Sequence, residues 1–241
     1  GDKNLEYLNL DKELNPFLGL RAIRLCFESV EMFKTQLRAI LRASNYGNAY
    51  IMFPMISRVD EVTKAKKILN DCKEELRKEG IEFDENIKVG IMVEIPSAAM
   101  TADIIADEVD FFSIGTNDLC QYTLATDRMN EKVSYLYDHF NIGVLRLIKN
   151  VINASDKKGI FTGMCGEMAG DVYASVILLG MGLNEFSMSA SSIPKVKKLI
   201  REIKFKDAQE IANNVLMMNN SEDIKAYIKQ KLEELKIDVI E

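Results

Sequence analysis

The sequence predicts a parallel α/β fold. Short apolar runs alternate with longer amphipathic ones, and most of the short runs lack strict polar/apolar alternation. That is the pattern of strands covered on both faces and joined by crossover helices. The runs fall at 49–56 (AYIMFPMI), 89–95 (VGIMVEI), 109–114 (VDFFSI), 159–164 (GIFTGM) and 185–188 (EFSM). The first helical segment, 59–78, carries Val59, Val62, Ala65, Ile68, Leu69, Cys72 and Leu76 at close to helical spacing. Segments 98–106, 144–154 and 173–179 read as the next helices, with right-handed crossovers expected throughout. Pro54 and Pro96 close strands, where a missing N–H is tolerated, and Asn15-Pro16 opens a loop before a helix. Two further helices, 206–218 and 222–236, end the chain, with Ser221 expected as the N-cap of the second. No repeat or long linker divides the 241 residues, so one compact domain over 1–241 is expected.

Composition narrows the function. Hydrophobic content of 47% and charged content of 28% are ordinary for a globular protein, and the length suits one α/β barrel or two smaller domains. A net charge of −6 argues against nucleic acid or anionic membranes as general partners, while leaving room for an anionic substrate met by local arginines and a metal. No run is long enough to span a bilayer, and the start shows no signal-peptide pattern. The four cysteines, Cys26, Cys72, Cys120 and Cys165, are scattered without a CxxC pair, which points to a reducing cytoplasm. His139, the one histidine, has no partner at a diagnostic spacing and reads as structural or surface-exposed.

Chemistry gathers where the apolar runs end, because ligands of parallel α/β folds bind at the carboxyl ends of strands. Cys165 lies in GMCGE, between glycines that let the backbone turn and a ligand approach. With no histidine partner to activate it as a nucleophile, general acid or base is its better role. Glu94 closes VGIMVEI, and Asn117-Asp118 follow Gly115-Thr116 on the next run. Two carboxylates at neighbouring strand ends form a half-shell for Mg²⁺. Taken separately, Glu94 reads equally well as an ion-pair partner and Asp118 as a helix N-cap. Arg21 and Arg128 supply forks for phosphate or carboxylate oxygens. Arg24 could take the role of Arg21, or lie in a solvated or interhelical pair. Arg38 and Arg42 read as a basic surface stripe, and Cys120 as a packing residue.

Six blocks, NPFLGLRAIR, IMFPMI, VGIMVEIPSAA, VDFFSIGTNDLCQYTLATDRMN, GMCGEMAGD and NEFSMSASSIP, occur in that order. Over essentially the whole chain they resemble the phosphoenolpyruvate-binding domain of Enzyme I of the bacterial sugar phosphotransferase system. The resemblance implies a (β/α)8 barrel that binds phosphoenolpyruvate and Mg²⁺ at its C-terminal face. Glu94 and Asp118 would hold the metal, and Arg21, Asn117, Asp118 and Arg128 would grip the substrate. Cys165 would protonate the enolate as pyruvate forms. The phosphoryl group would pass to a histidine on a separate domain and then to the carrier protein HPr, and homodimerisation is expected. Pyruvate phosphate dikinase and phosphoenolpyruvate synthase share the site logic, but QYTLATDRMN and GMCGEMAGD are closer to Enzyme I.

The chain departs from the family's usual pattern at Cys120, where threonine is usual, and at Asn141-Ile142, where a His-Pro pair is usual. A larger departure lies at the amino end. Only five strands are expected, residues 1–14 supply none, and the family's second strand, with a further phosphate-binding arginine, has no counterpart. The expectation is therefore a partial barrel, short of about three βα units, that is inactive by itself. The alternative from another class is an inactive binding or dimerisation module.

Overall fold

The computed structural model describes residues 13–239. Most of the amino-terminal stretch expected to supply no strand, residues 1–12, lies outside the described residues. Five parallel strands form one sheet: β1 (Tyr50–Phe53), β2 (Lys88–Val93), β3 (Phe111–Gly115), β4 (Phe161–Cys165) and β5 (Glu185–Ser187). They stand in sequential order, each hydrogen-bonded to the next, with Ile91 beside Phe112 and Ile114 beside Met164. A sheet wound in one direction places its crossover helices on one face, as a barrel does.

Burial follows that geometry and corrects one expectation. Ile51, Phe53, Val89, Ile91, Val93, Phe112, Ile114 and Met164 point to the helices and are buried. The alternate residues point the other way, and there Tyr50 is 55% exposed, Met52 40% and Phe161 36%. Thus the described chain covers one sheet face, not both. The apolar runs look continuous because the open face is apolar too: Tyr50, Phe111 and Phe161 form a row of aromatic rings with centroids 5.6 and 5.2 Å apart. Gly90 makes room for it, since a Cβ there would lie 2.6 Å from the Phe111 ring.

The helices are α1 (Ile23–Glu28), α2 (Val30–Ser44), α3 (Val59–Lys78), α4 (Pro96–Met100), α5 (Ala102–Ile105), α6 (Thr116–Leu124), α7 (Ile142–Lys158), α8 (Glu167–Gly170), α9 (Val172–Met181), α10 (Ile193–Glu202), α11 (Phe205–Val215) and α12 (Ser221–Glu234). The 59–78 periodicity appears as α3, whose start is fixed by Glu61 accepting from the Ser57 and Arg58 N–H groups at 2.7 and 3.1 Å. The expected helix over 98–106 is instead two short ones, because Thr101 leaves helical geometry and bonds back to Ser97. Asn220, not Ser221, caps α12, its Oδ1 accepting from the Asp223 N–H at 2.8 Å. Asn141 caps α7 by accepting from Gly143 N–H at 2.8 Å, so the departure at Asn141-Ile142 serves a helix start. Among the described residues, no helix is long and apolar enough to cross a membrane.

Candidate active site

Glu94 follows β2 directly and is only 7% exposed. Among the described residues it forms no ion pair. Its Oε1 accepts from the Met55 N–H at 2.6 Å, and Met55 has φ of +56°, a costly left-handed turn for a residue with a side chain. That turn aims the amide into the site. Burial pushes the Glu94 carboxyl up to about 7; the Met55 N–H and the Arg21 charge oppose this, while the neighbouring Asp118 carboxylate adds to the rise. Two carboxyl groups therefore lie beside each other, and burial together with the neighbouring charge favours the protonated form of Glu94.

Asn117 and Asp118 lie in the first turn of α6, immediately after β3. Asp118 is the third residue of the helix rather than its cap, and its Oδ1 is buried without a hydrogen-bond partner among the described residues. An orphaned carboxylate oxygen beside a buried glutamate fits a cation that the two would share. Asn117 Oδ1 accepts from the Tyr137 hydroxyl at 3.3 Å and from the Glu167 N–H at 3.4 Å, which leaves its amide NH₂ as the donor end for a ligand. No group of three or more histidine, cysteine or acidic side chains forms a metal cage among the described residues. A pair of carboxylates suffices for Mg²⁺, which keeps several sites for water and substrate oxygens.

Cys165 ends β4, in register with Gly115 on β3 and Ser187 on β5. Gly115 has no side chain to separate the thiol from Glu94: a Cβ there would stand 3.0 Å from Glu94 Oε2 and 2.9 Å from Met92 Sδ. The thiol itself lies 3.7 Å from Met92 Sδ. Burial pushes its pKa above the ordinary value, the Ser113 side chain and its own backbone counter this, and the Glu94 and Asp118 charges raise it further. Such a thiol is protonated at neutral pH, the state a proton donor needs and a nucleophile does not. After it, Gly166 takes φ +117° and brings the chain against Thr116, whose hydroxyl donates to the Cys165 carbonyl at 3.1 Å. A cavity of about 490 Å³ opens there, lined by Asn117, Cys165, Gly166, Glu167, Ser187 and Ser189 among others.

The arginines approach from two loops. Arg21 stands just before α1, its guanidinium 5.3 Å from the Phe17 ring centroid and close enough to act electrostatically on Glu94 and Tyr122. Arg128 lies beyond α6, near the Tyr137 phenol, with its Nε buried and without a hydrogen-bond partner among the described residues. Arg24 is partly exposed; its Nη1 donates to the Leu18 and Gly19 carbonyls at 2.7 and 3.2 Å and fastens the loop ahead of Arg21. Arg38 is no free stripe either, being paired with Glu75 and Glu79 of α3 at 3.1 and 2.7 Å. His139 Nε2 lies 3.4 Å from Asp171, which caps α9, and so serves structure. Cys120 is buried within α6.

The structure thus brings Glu94, Asn117, Asp118 and Cys165 together at three neighbouring strand ends, with Arg21 and Arg128 at the margins. Sequence reasoning missed what supports them: Met55, Met92, Ser113, Gln121, Tyr122 and Tyr137. A carboxylate pair, two guanidinium groups and a protonated thiol at the carboxyl ends of a parallel sheet suit an α/β domain for a small, multiply charged anion.

Comparison with known proteins is specific. Residues 1–205 match the model of the PEP-utilising enzyme, PEP-binding domain family, and the chain belongs to that family. It is 59% identical over 229 residues to the phosphoenolpyruvate-protein phosphotransferase of Priestia megaterium, covering 95% of this chain and 40% of that protein. With the same-named proteins of Bacillus subtilis (strain 168) and Haemophilus influenzae, identity is 57% over 230 residues and 55% over 232. These alignments cover 95% and 96% of this chain, and 40% of each relative. The chain spans about 40% of the length of these relatives. Among solved structures, a citrate lyase from Burkholderia xenovorans LB400 shares the fold, with a TM-score of 0.52 and 16% identity over 86% of this chain and 71% of that one.

Proposed function

We propose that this chain is the phosphoenolpyruvate-binding part of a phosphoenolpyruvate–protein phosphotransferase. It would deliver the phosphoryl group of phosphoenolpyruvate to a histidine on another domain of the same protein, then to HPr, and release pyruvate in sugar uptake. The observation that carries this reading is the meeting of Glu94, Asp118 and the Cys165 thiol at adjacent strand ends. Arg21, Arg128 and the Asn117 amide bind and orient the phosphate and carboxylate, which matters because positioning and charge stabilisation dominate phosphoryl transfer. Glu94 and Asp118 would hold Mg²⁺, which would supply positive charge to offset that of the phosphoryl group. The P–O bond breaks with its electron pair left on the enolate oxygen. Cys165 Sγ then gives its proton to the methylene carbon, completing the methyl group of pyruvate, and the thiolate recovers a proton from solvent.

The exposed row of Tyr50, Met52 and Phe161 supports a second element of the reading. We infer that further βα units of a longer protein cover this face and close a (β/α)8 barrel, and that the chain alone does not turn over. A homodimer in the cytoplasm, as in the resemblance, belongs to the same proposal. The test uses the full-length protein encoded by the gene, with Mg²⁺ and HPr. Cys165→Ala should abolish pyruvate formation while calorimetric phosphoenolpyruvate binding persists. Pyruvate formation at the unsubstituted rate would refute the acid role, and absence of phosphoenolpyruvate binding to the unsubstituted protein would refute the function.

A further inference from the structure

On α6, Gln121 stands four residues after Asn117, and Tyr122 four after Asp118. Each therefore lies one turn behind a ligand-facing residue, on the same side of the helix. Gln121 is polar where packing would favour carbon, and Tyr122 is partly buried. Gln121 is 4% exposed, and its Nε2 is buried without a hydrogen-bond partner among the described residues. A buried unsatisfied donor destabilises the fold, and an apolar side chain of similar volume would avoid that cost. What the glutamine supplies is its oxygen. Oε1 accepts from the Arg128 N–H at 3.1 Å, and the Gln121 backbone carbonyl accepts from Thr126 N–H at 3.0 Å. The turn so held passes through Ala125 at φ +51°, a conformation that strains a residue with a Cβ.

Tyr122 does the same for the other arginine. Its hydroxyl donates to the Phe17 carbonyl and lies 3.7 Å from Met55 Sδ, the residue whose N–H holds Glu94. Phe17 belongs to the loop that leads to Arg21, fastened elsewhere by Leu20 N–H to Glu13 Oε1 at 2.7 Å and by Arg24.

We propose that Gln121 and Tyr122 are positioning residues that set the reach of Arg128 and Arg21 from the helix that carries Asp118. The inference rests on the function proposed above, since it is the grip on the phosphoenolpyruvate anion that they adjust. It is tested in the full-length protein encoded by the gene, with Mg²⁺ and HPr, by steady-state kinetics and by calorimetric binding of phosphoenolpyruvate. Gln121→Met should raise KM and Kd about tenfold, the loss of one net hydrogen bond, with a much smaller change in kcat and no fall in Tm. Gln121→Glu keeps an acceptor oxygen and should recover most of the affinity. Tyr122→Phe, which removes a single oxygen, should also raise KM and Kd, and it decides the matter if Gln121→Met does not fold. Unchanged KM and Kd in the folded variants would overturn the positioning role while leaving the function standing. Failure of the unsubstituted protein to bind phosphoenolpyruvate would overturn the function and this inference together.

Discussion

Replacing Gly166 with alanine should cost far more than the same change at Gly159, and the difference measures how tightly the cysteine loop is seated. Both glycines have positive φ, +117° and +68°. Gly159 caps α7 in the ordinary left-handed region with ψ of 25° and has open space where a Cβ would go, so Gly159→Ala should lose about 1–2 kcal/mol. Gly166 combines its φ with a ψ of 180°, a region occupied essentially by glycine alone, at a cost of about 1–3 kcal/mol for other residues. Its added Cβ would also fall 2.3 Å from Thr116 Oγ1 and 3.1 Å from Asn117 Oδ1. Overpacking of that kind adds about 1–3 kcal/mol. The Thr116 hydroxyl cannot retreat freely because it holds the Cys165 carbonyl. Gly166→Ala should therefore lose about 2–6 kcal/mol, measured by urea unfolding followed by circular dichroism. If the proposed function holds, phosphoenolpyruvate binding by the full-length protein should weaken as well, because the added Cβ crowds Asn117. A loss at Gly166 no larger than at Gly159 would refute the account of the loop as a close fit against α6.

Glu94 should make stability depend on pH. Its folded-state pKa of about 7 stands above the ordinary 4.5, so its contribution is complete below about 4.5 and is lost as pH rises through 7. The difference corresponds to roughly 3 kcal/mol. Without divalent cations, Glu94→Gln should gain about that much on the unsubstituted chain between pH 4.5 and 8.5, read from urea unfolding at each pH; parallel profiles would contradict the buried pair. Asn141→Ala should cost about 1 kcal/mol in the same assay, through the lost cap of α7, with phosphoenolpyruvate binding unchanged. A change in affinity would instead tie Asn141 to the site.

The strands were legible because the helix-facing residues Ile51, Ile91, Phe112 and Ile114 are uniformly apolar. What covers their other face was not. Met52, Phe111 and Phe161 would read the same in a sheet buried on both sides, and only the exposure of Tyr50, Met52 and Phe161 tells the two apart. Helix ends were legible only approximately. Asn220 and Ser221 are both good caps, and the choice between them turns on which side chain reaches the Asp223 N–H, which sequence does not specify. The break at Thr101 depends on a local hydroxyl bond that competes with helix continuation, again invisible in the pattern of apolar positions.

The site divides along a different line. Cys165, Glu94, Asn117 and Asp118 are each anchored to a strand end, so reading the strands was enough to bring them into one place. The residues that tune them are held by contacts between distant segments: Met55 reaches Glu94 across 39 positions, and Tyr122 reaches Phe17 across 105. Met55 could not be suspected at all, since its positive φ is forced on a residue type that gives no sign of it. Gln121 and Tyr122 had one readable signal, their i+4 spacing from Asn117 and Asp118. That spacing acquires meaning only when the loops carrying Arg128 and Arg21 are seen to return to the same helix. The chemistry of the site is thus written locally at strand ends, whereas its geometry depends on loops closing back onto α6. It follows that substitutions at Gln121 or Tyr122 should change how well the anion is held without changing which groups do the chemistry.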